Sequence, residues 1–167
     1  MSFQKYLAYE GDKNMKISNL INENLINLEL DTKTKDETLV EMIKMIKDNG
    51  NITSVDCFKE DVFKREREGT TGVGMGLAIP HGKSEAVTKE CFAIAKLKEP
   101  VEWNSLDGNP VSFVVMLAVP AEKATTLHLK LLSKLSYLLM DDDFRKRLMA
   151  SNSKKELIDL ISKREEE

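Results

Sequence analysis

Two histidines are all the chain contains, and one of them, His81, lies in the segment richest in residues with special backbone behaviour. Residues 69–82 read Gly69-Thr70-Thr71-Gly72-Val73-Gly74-Met75-Gly76-Leu77-Ala78-Ile79-Pro80-His81-Gly82 and hold five of the eight glycines and one of the four prolines. An imidazole, with an unperturbed pKa of about 6.5, is mostly neutral and nucleophilic near pH 7 and can carry a covalent intermediate on a ring nitrogen. The alternation of Gly72, Gly74 and Gly76 with Val73, Met75 and Leu77 allows turning backbone or close approach. The apolar run Leu77-Ala78-Ile79 then predicts a short buried strand. Pro80 has no amide hydrogen, so the strand is expected to stop there and deliver His81 to the sheet edge, with Gly82 leaving room around the ring.

Glycine-rich stretches often cradle phosphates, but the spacing here is wrong for nucleotides. G-x-G-x-G lacks the extra residue of the dinucleotide fingerprint G-x-G-x-x-G. Gly82-Lys83-Ser84 ends like a P-loop, yet Leu77 stands where that motif needs its first glycine. Cys57 and Cys91 are isolated from each other, with no C-x-x-C spacing, and read as small reduced core residues rather than disulfide or zinc ligands. No metal or cofactor is expected.

Glu66, six residues, Val73-Gly74, two residues, then Leu77-Ala78-Ile79-Pro80-His81-Gly82 resembles the signature of enzyme IIA of the fructose/mannitol type, from the phosphoenolpyruvate-dependent sugar phosphotransferase system. The resemblance implies that His81 is the phosphorylated nucleophile, taking a phosphoryl group from the histidine phosphocarrier protein and passing it to a cysteine of a IIB domain or subunit of a sugar permease. Members have a second histidine in a His-Leu-x-x-Leu segment, which His128-Leu129-Lys130-Leu131-Leu132 resembles, so His128 is implied to orient His81 or bind phosphoryl oxygens. They also place an arginine six residues before the second threonine of Thr-Thr-Gly. Counting back from Thr71 gives Arg65, whose guanidinium suits phosphate, with Arg67 the weaker candidate. Thr70, Thr71 and the glycine-flanked amides are further candidate donors. The segment with Trp103 and the Asp107-Gly108-Asn109-Pro110 turn also resembles the family's, and Trp103 is read as packing.

The elements that must position these residues follow from pattern. Leu25 to Leu30 alternates from Ile26 onward and predicts a strand. Thr34 and Glu37 have capping-box spacing before a helix with Leu39, Met42, Ile43 and Ile46 on one face, ended by Asn49-Gly50. Ser54 caps a second helix through Phe58 and Val62 to Gly69. Residues 92–97 predict a strand broken at Lys98-Glu99-Pro100, with a short strand at Val101-Glu102-Trp103. Residues 111–119 predict a central strand buried on both faces, ended by Pro120. Leu127, Leu131, Leu135 and Leu138 form a helical stripe, with His128 beside it. A helix with Phe144 and Leu148 follows Asp141-Asp142-Asp143, and Ser153 with Glu156 caps a last one.

Alternating strands and helices predict an α/β domain, a mixed sheet with helices on both faces. Residues 1–14 are expected to be an N-terminal extension, 15–163 the enzyme IIA domain, and 164–167 a frayed end. The length of 167 residues fits one domain, and a net charge of −3 with 41% hydrophobic and 32% charged residues gives no footprint for nucleic acid. The most apolar run falls far short of the roughly 20 residues of a membrane helix, and no signal-peptide core opens the chain, so a cytoplasmic protein without direct membrane insertion is expected. The resemblance leaves a second function open, a free-standing regulatory protein of the nitrogen-related type that changes a partner's behaviour when phosphorylated. It does not select a sugar, because in this system the membrane IIC domain does so.

Overall fold

The computed structural model describes residues 16–167, and the expected extension over residues 1–14 lies outside the described residues. Apolar alternation after Leu25 produces β1 (Ile26–Leu30). Thr34 then accepts a hydrogen bond from Glu37 N and opens α1 (Lys35–Asp48), which buries Leu39, Met42, Ile43 and Ile46. Ser54 caps α2 (Val55–Glu68) in the same way and buries Phe58 and Val62. The glycine-rich segment forms a hairpin, β2 (Gly72–Gly74) and β3 (Leu77–Ala78), whose turn needs positive φ at Gly74, Met75 and Gly76. Next come β4 (His81–Ser84), β5 (Cys91–Val101) and β6 (Val111–Pro120). A π-helical turn, Ala124–His128, leads into α3 (Leu129–Met140), followed by α4 (Asp142–Ala150) and α5 (Lys154–Glu166).

The sheet is mixed and six-stranded, in the order β1-β5-β6-β3-β2, with β4 also paired to β6. Its centre is β6, buried along its length except at half-exposed Ser112, antiparallel to β5 and parallel to β3 and β4. Register decides which face each residue serves. His81, Leu117 and Phe92 stand side by side across three strands, as do Gly82, Ala118 and Cys91, and successive residues of a strand face opposite ways. Phe92, Ile94 and Val115 pack with Leu135, Leu138, Phe144 and Ile161, so α3, α4 and α5 cover the face on which His81 lies. Gly82 faces Phe58 and Val62 of α2 on the other side. The expected α/β architecture is therefore present.

Several local expectations are corrected. Pro80 does not end the strand run at His81. Leu77↔Phe113, Ala78↔Val114 and His81↔Leu117 keep one register, and Leu117 N donates to Pro80 O at 3.0 Å, so the ladder needs only the acceptor that proline retains. His81 thus opens β4, an element the pattern did not predict. Likewise β5 runs through Pro100. The register shifts between Lys96 and Val101 and residues 98–100 are exposed, the bulged setting in which a strand tolerates proline. Cys57 is exposed in the first turn of α2, with Sγ 3.7 Å from Ser84 Oγ, whereas Cys91 is buried as expected, and burial pushes its thiol up to about 12. The last helix continues through Glu166 because its end is tied down: Glu165 accepts from Ser18 N at 2.8 Å, and Arg164 pairs with Glu167 and lies over the Tyr137 ring.

One close approach in the fold lies beneath the candidate nucleophile. A Cβ on Gly82 would stand 2.8 Å from Val62 Cγ2 and 2.9 Å from Phe58 Cε2. Gly82→Ala should therefore push α2 off β4 and lower stability by about 1–3 kcal/mol, read as a lower urea midpoint with little change in slope.

Candidate functional site

His81 is 6% exposed, and its Nδ1 lies 3.0 Å from the carbonyl oxygen of Ile79. A carbonyl can only accept, so Nδ1 carries the proton and Nε2 keeps the lone pair. The break at residues 79–80 makes this bond possible, because Ile79 O points to the ring of the residue that restarts the ladder. The second histidine meets the first: the His81 and His128 ring centroids are 4.8 Å apart at an interplanar angle of 42°. His128 is 9% exposed, and its Nε2 is buried without a hydrogen-bond partner among the described residues. The wider π-helical turn leaves Leu127 only half-buried and puts His128 inside, so the apolar stripe of the helix proper begins at Leu131.

Arg65 occupies the last turn of α2, where its Nη1 donates to Gly69 O at 2.8 Å. Its charge reaches both imidazoles, whereas Arg67 is exposed. The threonines do not serve as free donors. Thr70 Oγ1 donates to Trp103 O at 3.0 Å, and Thr71 Oγ1 donates to Glu66 Oε1 while accepting from Trp103 Nε1 at 3.1 Å. Trp103 is buried as expected, and it also bonds, holding the threonine that holds Glu66. Met75 N is likewise occupied, by Asp107 Oδ2 at 2.9 Å.

Two cations, one beside the rings and one on Glu66, were not singled out from sequence. Lys83 is exposed and lies two residues beyond His81 on β4, hence on the same face, and its charge acts on both rings. Recognising the strand after Pro80 would have found it. Lys35 Nζ stands 2.5 Å from Glu66 Oε2, a carboxylate whose side chain is only 6% exposed. Nothing in the local pattern around Lys35 announces that contact, which joins the first residue of α1 to the end of α2. Among the described residues no group of three or more acidic, histidine or cysteine side chains is placed to hold a metal ion. No described helix is long and apolar enough to cross a membrane.

The electrostatics keep both rings neutral. Burial lowers the His81 pKa below its ordinary value; the Ile79 carbonyl and Glu66 oppose this, and Arg65 and Lys83 reinforce it. Burial lowers His128 further, to about 4, helped by His81, Lys83 and Arg65. A neutral His81 with a free Nε2 can attack an electrophile, and a neutral His128 can offer one ring N–H beside it. Unfolded chains protonate histidine near 6.5, so between there and about 4 the unfolded state binds more protons than the folded one. The contribution of His128 to stability is therefore fully present above about pH 6.5 and is lost as pH falls toward about 4. Urea midpoints measured across that window should fall with pH, and His128→Asn should make the decline shallower.

Comparison with known proteins places the chain in a family. Residues 19–164 match the family model described as phosphoenolpyruvate-dependent sugar phosphotransferase system, EIIA 2. A fructose-specific EIIABC component of Bacillus subtilis is 36% identical over 148 residues, which cover 89% of this chain; the chain spans only 23% of that longer relative's length. A fructose-specific EIIA component of Haloferax volcanii is 34% identical, covering 87% of this chain and 94% of that one. The crystal structure of the nitrogen regulatory protein IIA-Ntr of Neisseria meningitidis superposes with a TM-score of 0.80 at 32% identity, covering 87% of this chain and 98% of that one. Matched over most of its length by the model and by relatives of its own size, the chain belongs to the EIIA type 2 family of the phosphoenolpyruvate-dependent sugar phosphotransferase system.

Proposed function

We propose that this chain is a phosphoryl carrier of the sugar phosphotransferase system, accepting a phosphoryl group on His81 Nε2 from the histidine phosphocarrier protein and passing it to a IIB cysteine. The observation that carries the reading is the hydrogen bond from His81 Nδ1 to Ile79 O, which leaves Nε2 unprotonated in a ring held rigidly beside His128. Nε2 attacks phosphorus in line. The nitrogen–phosphorus bond of the donor's phosphohistidine breaks, its electron pair returns to the donor's ring, and Nδ1 of His81 keeps its proton, still donated to Ile79 O. The transferring group passes through a loose, metaphosphate-like state, so positioning and charge stabilisation supply most of the catalysis. His128, with Nε2 as its N–H, donates to a phosphoryl oxygen, and the guanidinium donors of Arg65 not spent on Gly69 O do the same. The cations Arg65 and Lys83 offset the roughly two negative charges the group brings. Onward transfer reverses the geometry, with a cysteine thiolate as nucleophile.

A second reading, a regulator of the nitrogen-related type, is favoured by one observation: the Neisseria nitrogen regulatory protein matches nearly end to end. Both readings share the phosphorylated His81 and differ in what discharges it. Domain boundaries at residues 15–163 and a cytoplasmic location belong to the same proposal.

Phosphoryl transfer from radiolabelled phosphoenolpyruvate, through enzyme I and the phosphocarrier, tests it. Wild type should take up acid-labile, alkali-stable label, His81→Ala none, and His128→Ala should accept about 100-fold more slowly and pass the label on poorly. Discharge by one IIB domain supports transport, and retention against every IIB domain supports the regulator. Label on His81→Ala would overturn the assignment.

A further inference from the structure

A line of polar contacts, one ion pair and then three hydrogen bonds, runs from α1 to the nucleophile. Lys35 pairs with Glu66 Oε2, and Thr71 Oγ1 donates to Glu66 Oε1. Ile79 N donates to Thr71 O at 3.0 Å, and His81 Nδ1 donates to Ile79 O at 3.0 Å. Trp103 Nε1 fixes the direction of the line, because by donating to Thr71 Oγ1 it leaves that hydroxyl to donate to Glu66, which accepts as the carboxylate. Glu66 is thus the anchor of the strand segment that sets the His81 tautomer. Its charge is the difficulty. A buried carboxylate near His81 holds a proton on the ring and repels an incoming phosphoryl dianion, and a buried charge left uncompensated is strongly destabilising. Glu66 Oε2 makes no aligned hydrogen bond, so the ion pair with Lys35 is its compensation.

We propose that Lys35 is a positioning residue for phosphoryl transfer: by neutralising Glu66 it lets that carboxylate anchor the Thr71–Ile79–His81 line without repelling the phosphoryl group at His81. The proposal rests on the phosphoryl-carrier reading. Lys35 also lies over the Trp103 ring, Nζ 5.6 Å from the centroid, so a merely structural role is the rival to separate. The other charged groups acting on His81 are Arg65 from α2 and Lys83 from β4, the His128 ring of the π-helical turn lies beside it, and none of the three pairs with Glu66 among the described residues.

A double-mutant cycle with two readouts tests it: the His81 imidazole pKa by NMR, and single-turnover phosphoryl acceptance from the phosphorylated histidine phosphocarrier protein. Lys35→Met keeps most of the stem over Trp103 and removes the charge. It should raise the His81 pKa by about one unit and slow acceptance about tenfold. Lys35→Arg should stay near wild type. Adding Glu66→Gln to Lys35→Met should return both readouts to near wild type, and it protects the test should the single variant be too unstable to study. Lys35→Met indistinguishable from wild type in both readouts overturns the proposal. So does a double variant as slow as Lys35→Met with an unmoved His81 pKa, which would mean packing alone. Failure of wild type to accept any label would instead sink the carrier reading, and the pKa cycle would still decide whether Lys35 acts on His81 through Glu66.

Discussion

The hydrogen bond between His81 Nδ1 and Ile79 O is the constraint on which the rest of the site depends. In energy it is ordinary, worth about 0.5–1.5 kcal/mol net. Its importance is that it chooses the tautomer, and that choice needs a strand broken at one place. Pro80 provides the break at little cost to the sheet, because its missing amide interrupts the donors while its carbonyl still accepts from Leu117. The ladder to β6 resumes in the same register, so the ring emerges from a rigid sheet rather than from a loop. A nucleophile on a sheet loses less precision to thermal motion than one on a loop tip.

The field at the rings has one sign and serves two purposes on the carrier reading. Burial with Arg65 and Lys83 nearby makes an imidazolium unfavourable, which leaves Nε2 free to attack. The same two cations are what a phosphoryl dianion needs once it has arrived. Glu66 runs against this field, and it is retained as the anchor of Thr71 with Lys35 beside it. A low-dielectric pocket magnifies each of these terms, so a misplaced charge here matters more than one on the surface.

Much of this was legible in the sequence, and the failures share a cause. Caps at Thr34, Ser54 and Ser153 announce helices because they depend on residues three apart. The central strand announces itself by an apolar run interrupted only at Ser112. What local pattern misses is tertiary: a proline whose carbonyl keeps the ladder, a second proline seated in a bulge, and a π-helical turn that puts His128 rather than Leu127 inside. His81 stood out by its setting in the glycine-rich segment, whereas His128 and Arg65 were nameable only through the family's signature. Periodicity alone places a histidine on a strand or a helix and does not bring the two rings to 4.8 Å. Lys35 and Glu66 lie far apart in sequence, so no window reading joins them, whereas Lys83 follows from period-two alternation once β4 is recognised.

On the carrier reading the buried groups named here all suit one small task, holding a tautomer and meeting a phosphoryl group. None of them distinguishes one sugar from another, or transport from regulation, because a phosphoryl group is the same in every case. Relatives of both kinds match this chain at similar identity, 34% for the Haloferax fructose component and 32% for the Neisseria nitrogen regulatory protein. What separates them must act on the partner protein before or after transfer, and partner choice is a property of exposed surface rather than of a buried pair of rings. Leu129, immediately after His128, stands at that boundary: its backbone opens the helix that follows the ring, and its side chain is exposed. His128 and Leu129 are thus adjacent residues with opposite burial, one turned to the His81 ring and the other exposed, so a change at one need not disturb the surroundings of the other.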